Sequence, residues 1–138
     1  MAHYALINSN NLVVQVITGV DENTTQTDID GSIVGGSAEA WEHFYQNQPQ
    51  HTGLLCKRTS YNGNIRNKYA GVGDIYDAQN DVFIEPLPFV GWVLNTQFQW
   101  EPPHPKPNTG KKYIWNNELI DWVEMPWIDQ LDDAGNNP

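Results

Sequence analysis

The C-terminal half of the chain is written in one repeated unit. "YDAQNDVFIEPLP" (Tyr76 to Pro88), "LNTQFQWEPPHP" (Leu94 to Pro105) and "WNNELIDWVEMP" (Trp115 to Pro126) share one order of residue types. A large apolar residue is followed by Asp or Asn and a polar turn. A second aromatic comes next (Phe83, Trp100, Trp122), then Glu (Glu85, Glu101, Glu124) and a proline. The unit recurs at about twenty residues and is one residue shorter in the middle copy. Asp or Asn after the first strand favours a turn, because its short side chain bonds the backbone two residues on. The large residues flanking that turn meet as a cross-strand pair, and proline removes a ladder donor and ends the pairing. The unit therefore predicts three consecutive aromatic β-hairpins joined by Pro-rich links. An isolated hairpin is marginal in water, so the copies must pack on one another or on a partner.

The stretch "WVLNTQFQWEPPHPKP" poses the functional question most sharply. One reading makes Trp92 and Trp100 the packing aromatics of the middle hairpin. The other makes the tryptophans a stacking platform for a host glycan or a choline-like ligand. The candidate interaction or packing aromatics are Tyr76, Phe83, Trp92, Trp100, Trp115, Trp122 and Trp127. Trp100 and Trp122 are expected to be core, with truncation to Ala costing about 3–5 kcal/mol.

Upstream, Tyr4 to Ile7 and Leu12 to Thr18 read as an N-terminal β-ribbon around the turn Asn8-Ser9-Asn10-Asn11. The polar run from Asp21 to Gly36 reads as a long loop. "SAEAWEHFYQNQ" is one short helix with Ser37 as N-cap, an apolar stripe of Ala40, Trp41, Phe44 and Tyr45, and Pro49 as its stop. Leu54 to Ser60 reads as a strand, followed by an Asn62-Gly63 turn. The expected class is mostly β. Its parts are a ribbon, helix and strand region over 1–72, a three-hairpin region over 73–128, and a flexible acidic tail over 129–138.

Of the 138 residues only seven are Lys or Arg, and the net charge is −10, which argues against nucleic acid and anionic membrane surfaces. Lys57, Arg58, Arg66 and Lys68 are the nearest approach to a basic patch, and in an acidic chain they are expected to pair with carboxylates. Cys56 is the single cysteine, so neither a disulfide within the chain nor a cysteine-based zinc site is available. Lys57 and Arg58 beside it favour a lowered thiol pKa, but a lone half-buried Cys in a strand reads mostly as structural. No apolar run reaches membrane-span length, and "MAHYALINSNN" lacks the features of a signal peptide, so the chain is expected to be made and kept in a cytoplasm or to leave it by a route other than secretion.

No constellation of catalytic residues is evident. The four histidines are scattered without HExxH or another ligand spacing, GxSxG is absent, and "GVGD" lacks a phosphate loop's third glycine. Asp28-x-Asp30-Gly31 lacks the bidentate Glu of a calcium loop. Neither an enzyme, a metal nor a cofactor is expected; His43 and His51 are the first residues to inspect for a metal.

Several motifs together resemble a family of small proteins encoded by tailed phages of aquatic cyanobacteria. The matching stretches are Thr59 to Asn62 (TSYN), Arg66 to Asp77, Val82 to Pro88, Trp92 to Pro105 and Tyr113 to Val123, with "HYALINSNNLVVQVI" as the opening strand pair. The loop between Asn62 and Arg66 is shorter than in many members, and Val90-Gly91 replaces the usual residues before the tryptophan. The resemblance implies a virion structural protein assembled in the host cytoplasm, such as a capsid decoration or cement protein or a tail accessory. Its partners would be major capsid or tail proteins, or copies of itself. It brings no catalytic residues with it.

Overall fold

The computed structural model describes residues 2–125, so Trp127 and the tail 129–138 lie outside the described residues. The described residues are mostly β with one α-helix, and the chain divides into two compact units, Met1–Pro86 and Leu87–Pro138. The first unit runs β1 (Ala2–Ile7), β2 (Val13–Gly19), β3 (Thr25–Thr27), β4 (Ile33–Gly35), α1 (Ala38–Gln46), β5 (Leu55–Thr59), β6 (Ile75–Asp77) and β7 (Val82–Ile84). The second runs β8 (Val93–Leu94), β9 (Trp100–Glu101), β10 (Tyr113–Asn116) and β11 (Asp121–Glu124).

β1 is the centre of the first unit, antiparallel to β2 on one side and to β5 on the other. Its side chains alternate between two cores, as a strand's period of two requires. Ala2, Tyr4 and Leu6 join Trp41 and Cys56 beneath α1, while Ala5 and Ile7 join Val13, Ala70, Tyr76 and Phe83. One face of the sheet is thus covered by the helix and the other by the first aromatic hairpin. The turn into β2 is held by Asn8, whose side-chain oxygen accepts the N–H groups of Asn10 and Leu12.

The helix begins as expected. Ser37 Oγ accepts the Ala40 N–H at 3.1 Å, and Trp41, Phe44 and Tyr45 face the sheet. The expected loop from Asp21 to Gly36 instead contains a hairpin, β3 paired with β4. Thr25, Thr27, Ile33 and Val34 supply β-branched residues, and Asp30 closes the turn by accepting from both Ser32 N–H and Ser32 Oγ. This hairpin is hung on Trp41. The indole N–H donates to Thr24 O at 2.8 Å, and a Cβ on Gly35 would lie 2.4 Å from the same indole.

All three repeat copies are hairpins of one design. Tyr76 pairs with Phe83, Leu94 with Trp100 and Trp115 with Trp122. Asp77, Asn95 and Asn116 each accept two backbone N–H groups of their own turn through one side-chain oxygen. Each turn ends in a left-handed residue: Asp81 (φ 55°), Phe98 (φ 59°) and Ile120 (φ 53°). The residue missing from the middle copy is lost from this turn, which leaves the cross-strand pair in register. The copies nevertheless divide between the units. The first packs on the N-terminal sheet and the other two form the second unit, so the expected boundary at 72/73 falls inside the first unit.

Candidate functional site

The second unit gathers Trp92, Trp115 and Trp122 into one cluster. Trp115 is its most buried member, at 7% exposure, and it faces Trp122 with ring centroids 5.3 Å apart and planes at 84°. Trp92 lies against both, 6.0 Å from Trp115 and 6.3 Å from Trp122, with Phe89 at 5.0 Å on its other side. Edge-to-face contacts of this kind place the positive rim of one ring on the negative face of the next.

The Pro-rich links are fastened to these indoles. Trp115 Nε1–H donates to Val90 O at 2.9 Å, and Trp122 Nε1–H donates to His104 O at 3.1 Å. His104 also meets Asp121 through Nε2, a contact that holds the Asp121 carboxyl below the usual carboxylate range. A chain rich in proline has few N–H groups for a ladder, so its carbonyls are free to take an indole N–H instead. Gly91 lets the first link pass close. It has φ 87°, and a Cβ there would lie 2.2 Å from Ile120 Cγ2.

Two expectations are corrected by this geometry. Trp92 is not a packing aromatic of the middle hairpin; Trp100 pairs across that hairpin with Leu94, and Trp92 turns to the third hairpin. Trp92 precedes β8, so it is free of the ladder that directs Leu94. Trp100 and Trp122 are half-buried rather than core, and Trp115 holds the buried position in this unit. The Nε1 of Trp92 is itself buried and has no hydrogen-bond partner among the described residues. Tyr76 and Phe83 are buried in the first unit, 5.4 Å apart.

Apolar side chains stand out around the cluster. Phe89, Val90, Val93, Ile114 and Leu119 are all more than 40% exposed, Leu119 reaching 68%. More than half of the large apolar residues exposed among the described residues belong to the second, smaller unit.

The first unit holds most of the charge chemistry, and Arg58, Arg66 and Lys68 are paired there. Arg66 donates to Glu42 at 2.9 Å and to Asp81 at 2.6 Å, Arg58 meets Glu22 at 3.3 Å, and Lys68 meets Asp74 at 2.5 Å. The basic side chains expected to pair with carboxylates thus do so at Arg58, Arg66 and Lys68. Glu42 is buried, which a carboxylate outside the helix's apolar stripe did not announce. Burial pushes the Tyr76 hydroxyl well above its usual range, and its bond to Asp81 adds to the shift. Burial also raises the Asp81 carboxyl, but the bonds from Tyr76 and Arg66 outweigh it and leave the group below its ordinary value.

Cys56 is not an activated thiol. Burial and the nearby Glu42 push it up to about 12, and Lys57 and Arg66 offset only part of this. His43 Nε2 lies 3.0 Å from Asn47 Nδ2, and His51 Nδ1 lies 2.6 Å from Tyr45 O. Among the described residues no group of three or more His, Cys, Asp or Glu side chains is placed to hold a metal ion. A groove of about 420 Å³ between α1 and the β3–β4 hairpin is lined by Asp28, Val34, His43, Phe44 and Asn47, among others.

Comparison of the chain with protein-family models, with curated proteins and with solved structures found no match, so a functional reading stands on this geometry and on the sequence motifs.

Proposed function

We propose that the chain is a virion structural protein of a tailed phage, a capsid decoration or cement protein or a tail accessory that attaches through its second unit to capsid or tail proteins. The observation that carries the attachment is the concentration of exposed aliphatic residues on that unit, Val93, Ile114 and Leu119 among them. Apolar surface gathered in one region of a small protein marks a contact site, and short two-stranded hairpins leave strand edges open to a partner. The phage assignment itself comes from the motif resemblance.

A host-glycan site on the tryptophans is the competing reading. Sugar stacking needs an open ring face, whereas Trp92, Trp115 and Trp122 turn edges and faces toward one another. The exposed side chains around them are mainly aliphatic, which suits a protein surface better than a sugar ring.

The test is to purify particles of the virus that encodes the chain, quantify the protein in them, and compare wild type with Val93→Asp/Leu119→Asp. The proposal expects the protein on the particle, and the variant folded but lost from it. Absence of the protein from purified particles overturns the virion reading. Release of bound wild type by free sugar, with attachment of the variant unimpaired, would support the glycan reading instead.

A further inference from the structure

The two edges of the three-stranded sheet are treated differently. On β5 the outward backbone groups are taken by side chains. Cys56 N–H donates to Gln46 Oε1 at 2.9 Å, Arg58 N–H donates to Glu42 Oε2 at 2.5 Å, and Arg58 O accepts from Arg66 at 2.9 Å. Glu42 and Gln46 are one helical turn apart, so they lie side by side along the strand and replace a neighbouring strand's acceptors. That edge is closed.

The β2 edge is closed only at its ends. Val13 exchanges bonds with Asp74 O and Gly73 N–H, and beyond the strand Val20 N–H donates to Tyr45 Oη at 3.1 Å. Between them the register with β1 runs unbroken from Gln15 to Gly19, and among the described residues nothing bonds to the outer side of this run. β2 is the longest of the described strands, and its sequence VVQVITG has no charged residue in a chain of net charge −10. Proteins blunt an open edge with lysine, proline or inward charge, and over Gln15 to Gly19 none of these is present.

We infer that β2 is a self-association edge, pairing antiparallel with β2 of a second copy across a two-fold axis to join two sheets into one of six strands. An antiparallel edge is self-complementary in its donors and acceptors, as an isologous interface requires. A second copy fits here on charge grounds. Two strongly acidic chains repel over most of their surfaces, and β2 is a stretch where they approach without bringing carboxylates together. The inference does not depend on the virion reading, since it concerns the isolated chain.

The test is sedimentation of the full chain over a wide concentration range, with hydrogen exchange of residues 13–19 followed in parallel. Gln15→Lys/Thr18→Lys places like charges on exposed positions of the edge. Gln50→Lys/Gln79→Lys makes the same charge change at exposed positions elsewhere. The expected result is a concentration-dependent dimer whose formation protects the β2 amides. The edge variant should raise the dimer dissociation constant about tenfold or more and the control variant should leave it near wild type. A chain monomeric throughout overturns the inference. So does a dimer that ignores the edge variant or protects the second unit in place of β2.

Discussion

Trp115 and Trp122 face each other across the third hairpin at 5.3 Å, in the same register positions that Tyr76 and Phe83 occupy, 5.4 Å apart, in the first. One pair is sealed against a sheet, while the other anchors a cluster ringed by exposed aliphatic side chains. The same local design therefore serves as core in one unit and as the support of a candidate contact surface in the other.

Trp115→Ala should destabilise the second unit by about 3–5 kcal/mol, the range for truncating a buried aromatic. Trp100→Ala should cost less, because that ring is half-buried. Trp92→Phe removes an indole N–H that has no partner among the described residues, so its cost should stay below about 1 kcal/mol. Denaturant unfolding of the three variants gives the order directly. If Trp115→Ala is the mildest, the cluster is not the core of this unit.

Gly91→Ala should cost about 1–3 kcal/mol, since the new methyl meets Ile120 Cγ2 and the backbone sits at φ 87°. Ile120→Gly removes that neighbour and also relieves a β-branched residue at φ 53°. A double-mutant cycle in denaturant should therefore find Gly91→Ala cheaper in the Ile120→Gly background. Strict additivity would place the strain elsewhere.

Glu42→Ala should cost about 3–5 kcal/mol, because it strips a buried acceptor from Arg66 and from the Arg58 N–H. Glu42→Gln keeps the side-chain length and one acceptor oxygen, and should lose less. Equal losses in thermal or denaturant unfolding would mean that charge, rather than hydrogen bonding along the β5 edge, sets the contribution.

Asp81 should contribute to acid sensitivity. Its carboxyl is held below its ordinary value, so its stabilising effect is complete above the unfolded carboxylate value of about 3.9 and is lost as pH falls through the lower folded value. The side chain is 54% exposed, which keeps the effect small. Stability measured from pH 7 downward should fall less steeply below about pH 4 in Asp81→Asn than in wild type. Parallel curves would remove Asp81 from the acid response.

The sequence by itself determined the local structure. The Asp or Asn after each first strand, the paired large residues and the closing prolines specify three hairpins in register, because turn chemistry and strand period act over a few residues. Ser37, the helical stripe and the β-branched run after Asn11 were legible for the same reason. What tertiary structure decided lies at longer range. The β3–β4 hairpin is hidden in polar residues and is secured by Trp41, and the burial of Glu42 depends on Arg66 and on a strand edge sixteen residues away in sequence. Which hairpin joins the N-terminal sheet depends on which apolar face remains to be covered once the sheet and helix have packed, and whether Trp92 meets Trp100 or the third hairpin depends on packing within the second unit. Hairpin patterning specifies a face to bury, but only the assembled fold supplies the surface that buries it.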